Sequence, residues 1–348
     1  MDKQNYFLWL TENTESKWTN DSAILSQIEN ARKIGAIGCT TNPPLSYEAL
    51  TVDTEIYGDD LSKISRDCTD DEFALQAMSL VVKNLSNYWM EFHKEKGGLC
   101  GKVRAQVAPN LRNDAEGMLK VGKILSSWGE NVMVKIPATE AGVWTLEELA
   151  ALGIPTNPTV TTSVSQMIAV AEAYERGVAR AEKAGITPGV TTIAIVMGRI
   201  QDYLDSLRTE RGIDIETTDL EWAALAVVKR TEEVAREKKY KSIIQPAAFR
   251  CARHVEQISG GPFCSTIHPK VQKMVEEADA AGLMKREVLF DAPVDQGALD
   301  RVCKAFPEFL DAYEYDALKP SQFVTYGATE MTLDGFDIQG WQKLITLR

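Results

Sequence analysis

Lysine in the middle of an apolar run is the most chemically suggestive residue in this chain. Lys135 sits in Val132-Met133-Val134-Lys135-Ile136-Pro137, where a strand interior strips hydration from the ammonium and lowers its pKa. A neutral amine attacks carbonyl carbons and forms imines. The same run also suits a lysine that points outward between helices and snorkels to solvent, and the pattern leaves both placements open. Asp21, in Trp18-Thr19-Asn20-Asp21-Ser22, reads either as a proton carrier or as the N-cap of a helix starting near Ala23. Asn42, in Thr40-Thr41-Asn42-Pro43-Pro44, reads either as a turn opener or as an amide that holds substrate oxygens. An amine, a carboxylate and an amide meeting at one site would suit aldol chemistry. The carboxylate moves a hydroxyl proton as a C–C bond breaks, and the amide fixes a hydroxyl or carbonyl oxygen.

The elements that must position these residues alternate along the chain. Short apolar runs at Lys17 to Asp21, Ile37 to Thr41, Val103 to Ala108, Val132 to Pro137, Ile154 to Thr159, Thr191 to Met197, Ser242 to Ala248 and Phe263 to Ile267 predict strands. Helical periodicity fills the gaps. Asp71 to His93 places Phe73, Ala77, Leu80, Leu85 and Trp89 on one face. Asn113 is the expected cap of a helix through Met118 and Leu125 that stops at Gly129, and Thr139 caps the next, which ends at Gly153. Thr162 to Gly185 and Asp219 to Lys238 behave similarly. About eight β/α alternations predict the α/β class and a single (β/α)8 TIM barrel spanning 1–348. Within it, 270–348 includes a helical C-terminal extension carrying Phe336, Trp341 and Leu344, read as packed on the barrel. Such barrels build their sites at the C-terminal ends of the strands, where Lys135, Asp21 and Asn42 fall.

Composition narrows the function classes. Thirty-eight basic residues against 50 acidic ones give a net charge of −12, which argues against a nucleic-acid or anionic-membrane surface. The six cysteines, Cys39, Cys68, Cys100, Cys251, Cys264 and Cys303, form no C-x-x-C pair and share no metal-ligand spacing with His93, His254 and His268. Reduced thiols and no metal site are therefore expected, and imine chemistry at Lys135 would need no metal or organic cofactor. Cys39 has no partnering histidine, so a thiol nucleophile is not expected; His254 and His268 are read as structural. The stretch Met1 to Asn5 leads to an apolar patch, Tyr6 to Leu10, too short for a signal sequence or a membrane span. A cytoplasmic protein without membrane partners is expected.

Five motifs in order along the chain resemble those of the transaldolase family. Gly35-Ala36-Ile37-Gly38-Cys39-Thr40-Thr41-Asn42-Pro43 is similar to its G-x-T-[TS]-N-P signature, and Val134-Lys135-Ile136-Pro137-Ala138-Thr139 to its Schiff-base motif. Gly153-Ile154-Pro155-Thr156-Asn157-Pro158-Thr159, with Ser163 and Gln166, resembles the family's G-I-x-x-N-x-T stretch. Met197-Gly198-Arg199-Ile200 and Ala247-Ala248-Phe249-Arg250 resemble V-G-R-I and A-S-F-R. The resemblance implies that Lys135 forms an imine with a ketose or its phosphate, and that a dihydroxyacetone unit passes to an aldose acceptor. It implies Asp21 as general acid/base, Gln106 and Thr159 as the residues that orient a water, and Asn42 and Asn157 as holders of donor hydroxyls. Thr41 and Ser163 would line the substrate site, and Arg199 and Arg250 would take an anionic group. Homo-oligomers are common for such barrels, and one is expected here.

The chain departs from the pattern at three places. Gln106 stands where many members carry Glu, although fructose-6-phosphate aldolases carry Gln; it can position a water but cannot take its proton. Ala194 and Ala248 occupy positions where serines usually help bind phosphate, and Val196 replaces a common aromatic. Arg199 and Arg250 also fit ordinary surface salt bridges. Two rival functions remain open on sequence. One is an aldolase that releases free dihydroxyacetone, which Gln106 keeps open; the other is a non-catalytic sugar-binding protein on the same fold.

Overall fold

The computed structural model describes residues 4–348; Met1, Asp2 and Lys3 of the N-terminal stretch lie outside the described residues. Each apolar run contains a strand: β1 (Lys17–Asn20), β2 (Gly38–Thr40), β3 (Lys102–Gln106), β4 (Val132–Pro137), β5 (Thr156–Thr159), β6 (Thr192–Val196), β7 (Ile243–Ala247) and β8 (Cys264–Ile267). β4 is buried along its whole length, as a parallel strand must be when helices cover one face and a barrel interior the other. Six strands form one sheet in the order β5-β4-β3-β2-β1-β8, and β6 pairs with β7. Parallel bridges at Thr156–Thr191 and Thr161–Ile195 join β5 to β6, and β7 lies beside β8. The strands thus follow one another around a (β/α)8 barrel in chain order.

Register decides which side chains face inward. Gln106, Lys135 and Asn157 are Cα partners across β3, β4 and β5, and Arg104 pairs with Met133 one inner position below. Inward hydrogen bonds mark the same face elsewhere: Thr40 and Thr266 hydroxyls lie 2.9 Å apart, and Asn157 Nδ2 donates to Thr192 Oγ1 and Gln245 Oε1, each at 2.9 Å. The barrel interior is therefore largely polar, with an apolar patch at Ala194, Val196 and Ala247, whereas many such barrels fill it with layers of Val, Ile and Leu. Apolar packing sits instead between strands and helices, where Val103, Val132, Val134, Ile136, Ile193 and Ile195 are all buried.

Local signals set most helix ends. Thr139 accepts from the Gly142 N–H and caps Glu140–Ala151, as expected. The cap of Ala115–Ser126 is Asp114, which accepts from the Gly117 N–H, and not Asn113; both residue types cap well, and the register of the first turn selects between them. The long helix Asp70–Glu95 opens with a capping box between Thr69 and Glu72. The apolar patch near the N-terminus is a helix, Tyr6–Asn13, with Tyr6, Phe7 and Leu10 buried. Among the described residues no helix is long and apolar enough to cross a membrane.

After β8 the chain is helical, and its last turns cross the C-terminal mouth of the barrel. Gly327–Phe336 runs into a π-helical turn, Asp337–Trp341. A Cβ on Gly340 would lie 2.2 Å from Pro44 Cδ, so only glycine lets this turn sit on the Pro43-Pro44 start of helix Pro43–Val52. Next to it Trp341 is 1 % exposed, and its Nε1 donates to Asp71 Oδ1 at 2.7 Å. Trp341→Ala is expected to cost about 3–5 kcal/mol of stability. A lower denaturant midpoint with an unchanged slope is the measurement that checks it.

Candidate active site

Lys135 projects into the barrel near its C-terminal mouth and is 5 % exposed, so the snorkelling placement does not hold. Burial is the main force on its amine and brings the pKa down to about 8; Asp21 opposes the shift, and Arg104 and Arg199 add to it. The Nζ lies 5.8 Å from the centre of the Phe336 ring. Phe336 belongs to the C-terminal extension and packs with Val160 and Leu333.

Three buried polar atoms surround Lys135 without a hydrogen-bond partner among the described residues: Gln106 Oε1, Asn157 Oδ1 and Thr159 Oγ1. Other unpaired buried atoms are scattered through the described residues, but these three sit close together at neighbouring positions on β3 and β5. The Asn157 donors are already committed to Thr192 and Gln245, which leaves its Oδ1 to accept from a ligand hydroxyl. Thr159 is followed by Val160 at φ 53°, a left-handed conformation that a β-branched residue rarely adopts.

Asp21 follows β1 directly, and its N–H donates to the Ile267 carbonyl at 3.1 Å. It caps no helix: the next one, Leu25–Lys33, has Ile24 at its N-cap and no side-chain cap bond. Asp21 instead lines a cavity of about 380 Å³ with Asn42, Arg199, Arg250, His268 and Phe336. Lys135 is not among the residues lining that cavity, whereas Phe336, near its Nζ, is. Asn42 is the N-cap of helix Pro43–Val52, its Oδ1 accepting from the Leu45 N–H at 2.9 Å, and it also lines the cavity.

The arginines are less free than their motifs suggest. Arg250 binds Asp202 through Nε and Nη2 at 2.9 and 2.6 Å, and Arg199 Nη1 reaches the same carboxylate at 3.4 Å. The salt-bridge reading therefore holds for both, although they also line the cavity. Asp202 escaped the sequence reading, but its place three residues after Arg199 on helix Met197–Arg211 was a usable signal. Arg250 Nη1 also donates to the Ala248 carbonyl at 2.8 Å. A Cβ on Gly198 would fall 1.8 Å from that oxygen, so the glycine of the Met197-Gly198-Arg199 motif makes room for the clamp.

Thr41 and Ser163 have local structural partners instead of a place on the cavity. The Thr41 hydroxyl donates to the Arg104 carbonyl at 2.7 Å. Ser163 accepts from the Gln166 N–H at 3.1 Å and caps Val164–Lys183. Burial pushes the Cys39 thiol up to about 12, unfit for a nucleophile. Burial together with Arg250 and Arg253 holds buried His254 down at about 3, neutral and structural. His268 lines the cavity, but its Nδ1 accepts from the Lys270 N–H. Among the described residues no group of three or more His, Cys, Asp or Glu side chains converges as a metal site would.

Fold and site together define an α/β barrel whose C-terminal mouth gathers a buried lysine, unpaired polar atoms and a clamped arginine pair. A family model described as Transaldolase/Fructose-6-phosphate aldolase matches residues 19–312, and the chain belongs to that family. Similar proteins include the transaldolase of Neisseria gonorrhoeae, 30% identical over 186 residues, which are 51% of this chain and 52% of that protein. Transaldolase 1 of Streptomyces avermitilis is 31% identical over 207 residues, 58% of this chain and 54% of its own. The chain thus spans about half the length of these two relatives. Transaldolase 1 of Streptomyces coelicolor is 23% identical over 342 residues, 90% of this chain and 88% of its own.

Proposed function

We propose that this protein is a transaldolase-type enzyme that moves a three-carbon ketol unit between sugars through an imine at Lys135. The observation that carries the reading is the lysine itself, buried at the barrel mouth between Gln106 and Asn157, where burial brings its pKa down to about 8 and favours the neutral amine. Membership of the family and the curated names of its relatives support the same reading.

The neutral amine attacks the ketose C2 carbonyl, and the carbinolamine loses water with uptake of one proton from solvent, which leaves a protonated imine. As the C3–C4 bond breaks, the C4 hydroxyl gives its proton to Asp21 and the bonding electrons enter the imine as an enamine. The aldehyde leaves. An acceptor aldehyde is then attacked by the enamine carbon, and Asp21 returns the proton to the new alkoxide. Hydrolysis frees the product and restores the amine. Asn42 and Asn157 Oδ1 hold donor hydroxyls, and Gln106 with Thr159 positions the water. Arg199 and Arg250 take the phosphate of the sugar, with Asp202 cancelling part of their charge.

Borohydride reduction in the presence of fructose 6-phosphate tests the proposal. A reduced three-carbon adduct is expected on the peptide that contains Lys135. Folded protein that yields no adduct there with fructose 6-phosphate, fructose or a sulfonated ketose would sink the imine. Accumulation of free dihydroxyacetone without any acceptor would move the activity from transfer to aldol cleavage.

A further inference from the structure

The opposite end of the barrel holds a cavity that the proposed reaction does not use. It has a volume of about 460 Å³ and lies among the first residues of the strands, including Lys17 of β1, Lys102 of β3 and Cys264 of β8. That volume falls within the range of ordinary small-molecule sites. Arg104, from β3, lines it at 2 % exposure. Among the described residues its Nε and Nη1 have no hydrogen-bond partner, and its Nη2 has only the weak contact with Cys264 Sγ at 3.7 Å.

A guanidinium stays ionised under all ordinary conditions, and an ion held out of water without a counter-charge is strongly disfavoured. No carboxylate of the described residues lies within ion-pair distance of Arg104; the one carboxylate lining the cavity, Glu15, sits exposed at the rim. The remaining cations leave Arg104 uncompensated. Lys17 Nζ is occupied with the carbonyls of Thr11 and Thr14, and Lys102 adds a second positive charge at the wall. Apart from Thr19 and Thr192, the rest of the lining is apolar and partly open to solvent: Leu99 is 76 % exposed, Ile243 42 % and Val190 38 %. A single negative charge with an apolar body matches this combination, because a second charge would be carried against apolar walls.

We propose that this N-terminal mouth is a second binding site, for a small organic monoanion with an apolar body, an aromatic or short aliphatic carboxylate, held by Arg104. It stands whether or not Lys135 forms an imine.

Isothermal titration calorimetry on the full chain tests it with benzoate and hexanoate, with benzamide and inorganic phosphate as controls. Benzoate is expected to saturate with a Kd of about 0.1–1 mM, and the neutral amide is not. Arg104→Met is expected to weaken benzoate about tenfold or more, and Arg250→Met, which disarms the other anion-binding mouth, to leave it unchanged. Leu99→Asp, which adds a negative charge at a well exposed rim position, is expected to weaken benzoate as well, and it decides the matter should Arg104→Met not fold. The proposal falls if benzoate affinity survives in the folded charge variants or is lost with Arg250→Met. It falls equally if benzamide binds as well as benzoate, if phosphate binds as well as benzoate in Arg250→Met, where the other anion-binding mouth is disarmed, or if neither carboxylate saturates at about 10 mM.

Discussion

Lys135→Met is expected to remove ketose turnover by a factor of about 10⁴ or more while the protein stays folded. Methionine keeps the length and most of the volume of the side chain, so the interior between Gln106 and Asn157 stays filled. It also removes a buried amine that burial already disfavours in its charged form, so stability should hold or rise. Loss of turnover without loss of melting temperature therefore separates chemistry from folding. The wild-type pH profile gives the second half of the result. Only the neutral amine attacks, so the rate of imine formation should climb as pH rises through about 8 and level off above it. Stopped-flow trapping across pH 6 to 10 reads this; a rate that is flat through that window, or turnover that persists in the methionine variant, would remove Lys135 from the mechanism.

The lysine was legible because a charged residue inside an apolar six-residue run has few reasons to be there, and β4 has the limits that its Pro137 and flanking polar residues suggest. Its direction was not legible. Strands of three to six residues carry too few alternations to say which face is inward, and here the inward face is largely polar and the outward one largely apolar. Arg104 fell into the same gap, since an arginine between Val103 and Ala105 looks like an outward residue until the register is known. The candidate site's other omissions are long-range. Phe336 reaches the lysine from about two hundred residues along the chain, next to a turn whose Gly340 sits on Pro43 and Pro44. Asp202 is held most closely by Arg250, which arrives in the loop after β7, about fifty residues along the chain. Helix caps show the finer limit: Thr139 was read correctly, while Asn113 and Asp114 are equally good capping residues and local sequence does not choose between them.

Asp21→Asn is expected to lower kcat by about 10²–10⁴ and yet to make the imine easier to form. The two effects have opposite signs because the carboxylate has two separate relations to the site. Its negative charge raises the proton affinity of Lys135 against the larger pull of burial, so a neutral amide in its place should let the amine lose its proton at lower pH. Borohydride trapping in the variant should therefore reach its plateau at a lower pH than in the wild type. Carbon–carbon cleavage needs a base for the departing hydroxyl proton, and asparagine cannot accept it. The backbone gives no reason for collapse, because the residue is held through its own N–H to the Ile267 carbonyl and caps no helix. A residue that merely tuned the lysine would give the reverse outcome, with faster trapping and turnover kept within about tenfold of the wild type. Turnover that falls while trapping survives and shifts to lower pH is the pattern that only a proton carrier at position 21 produces.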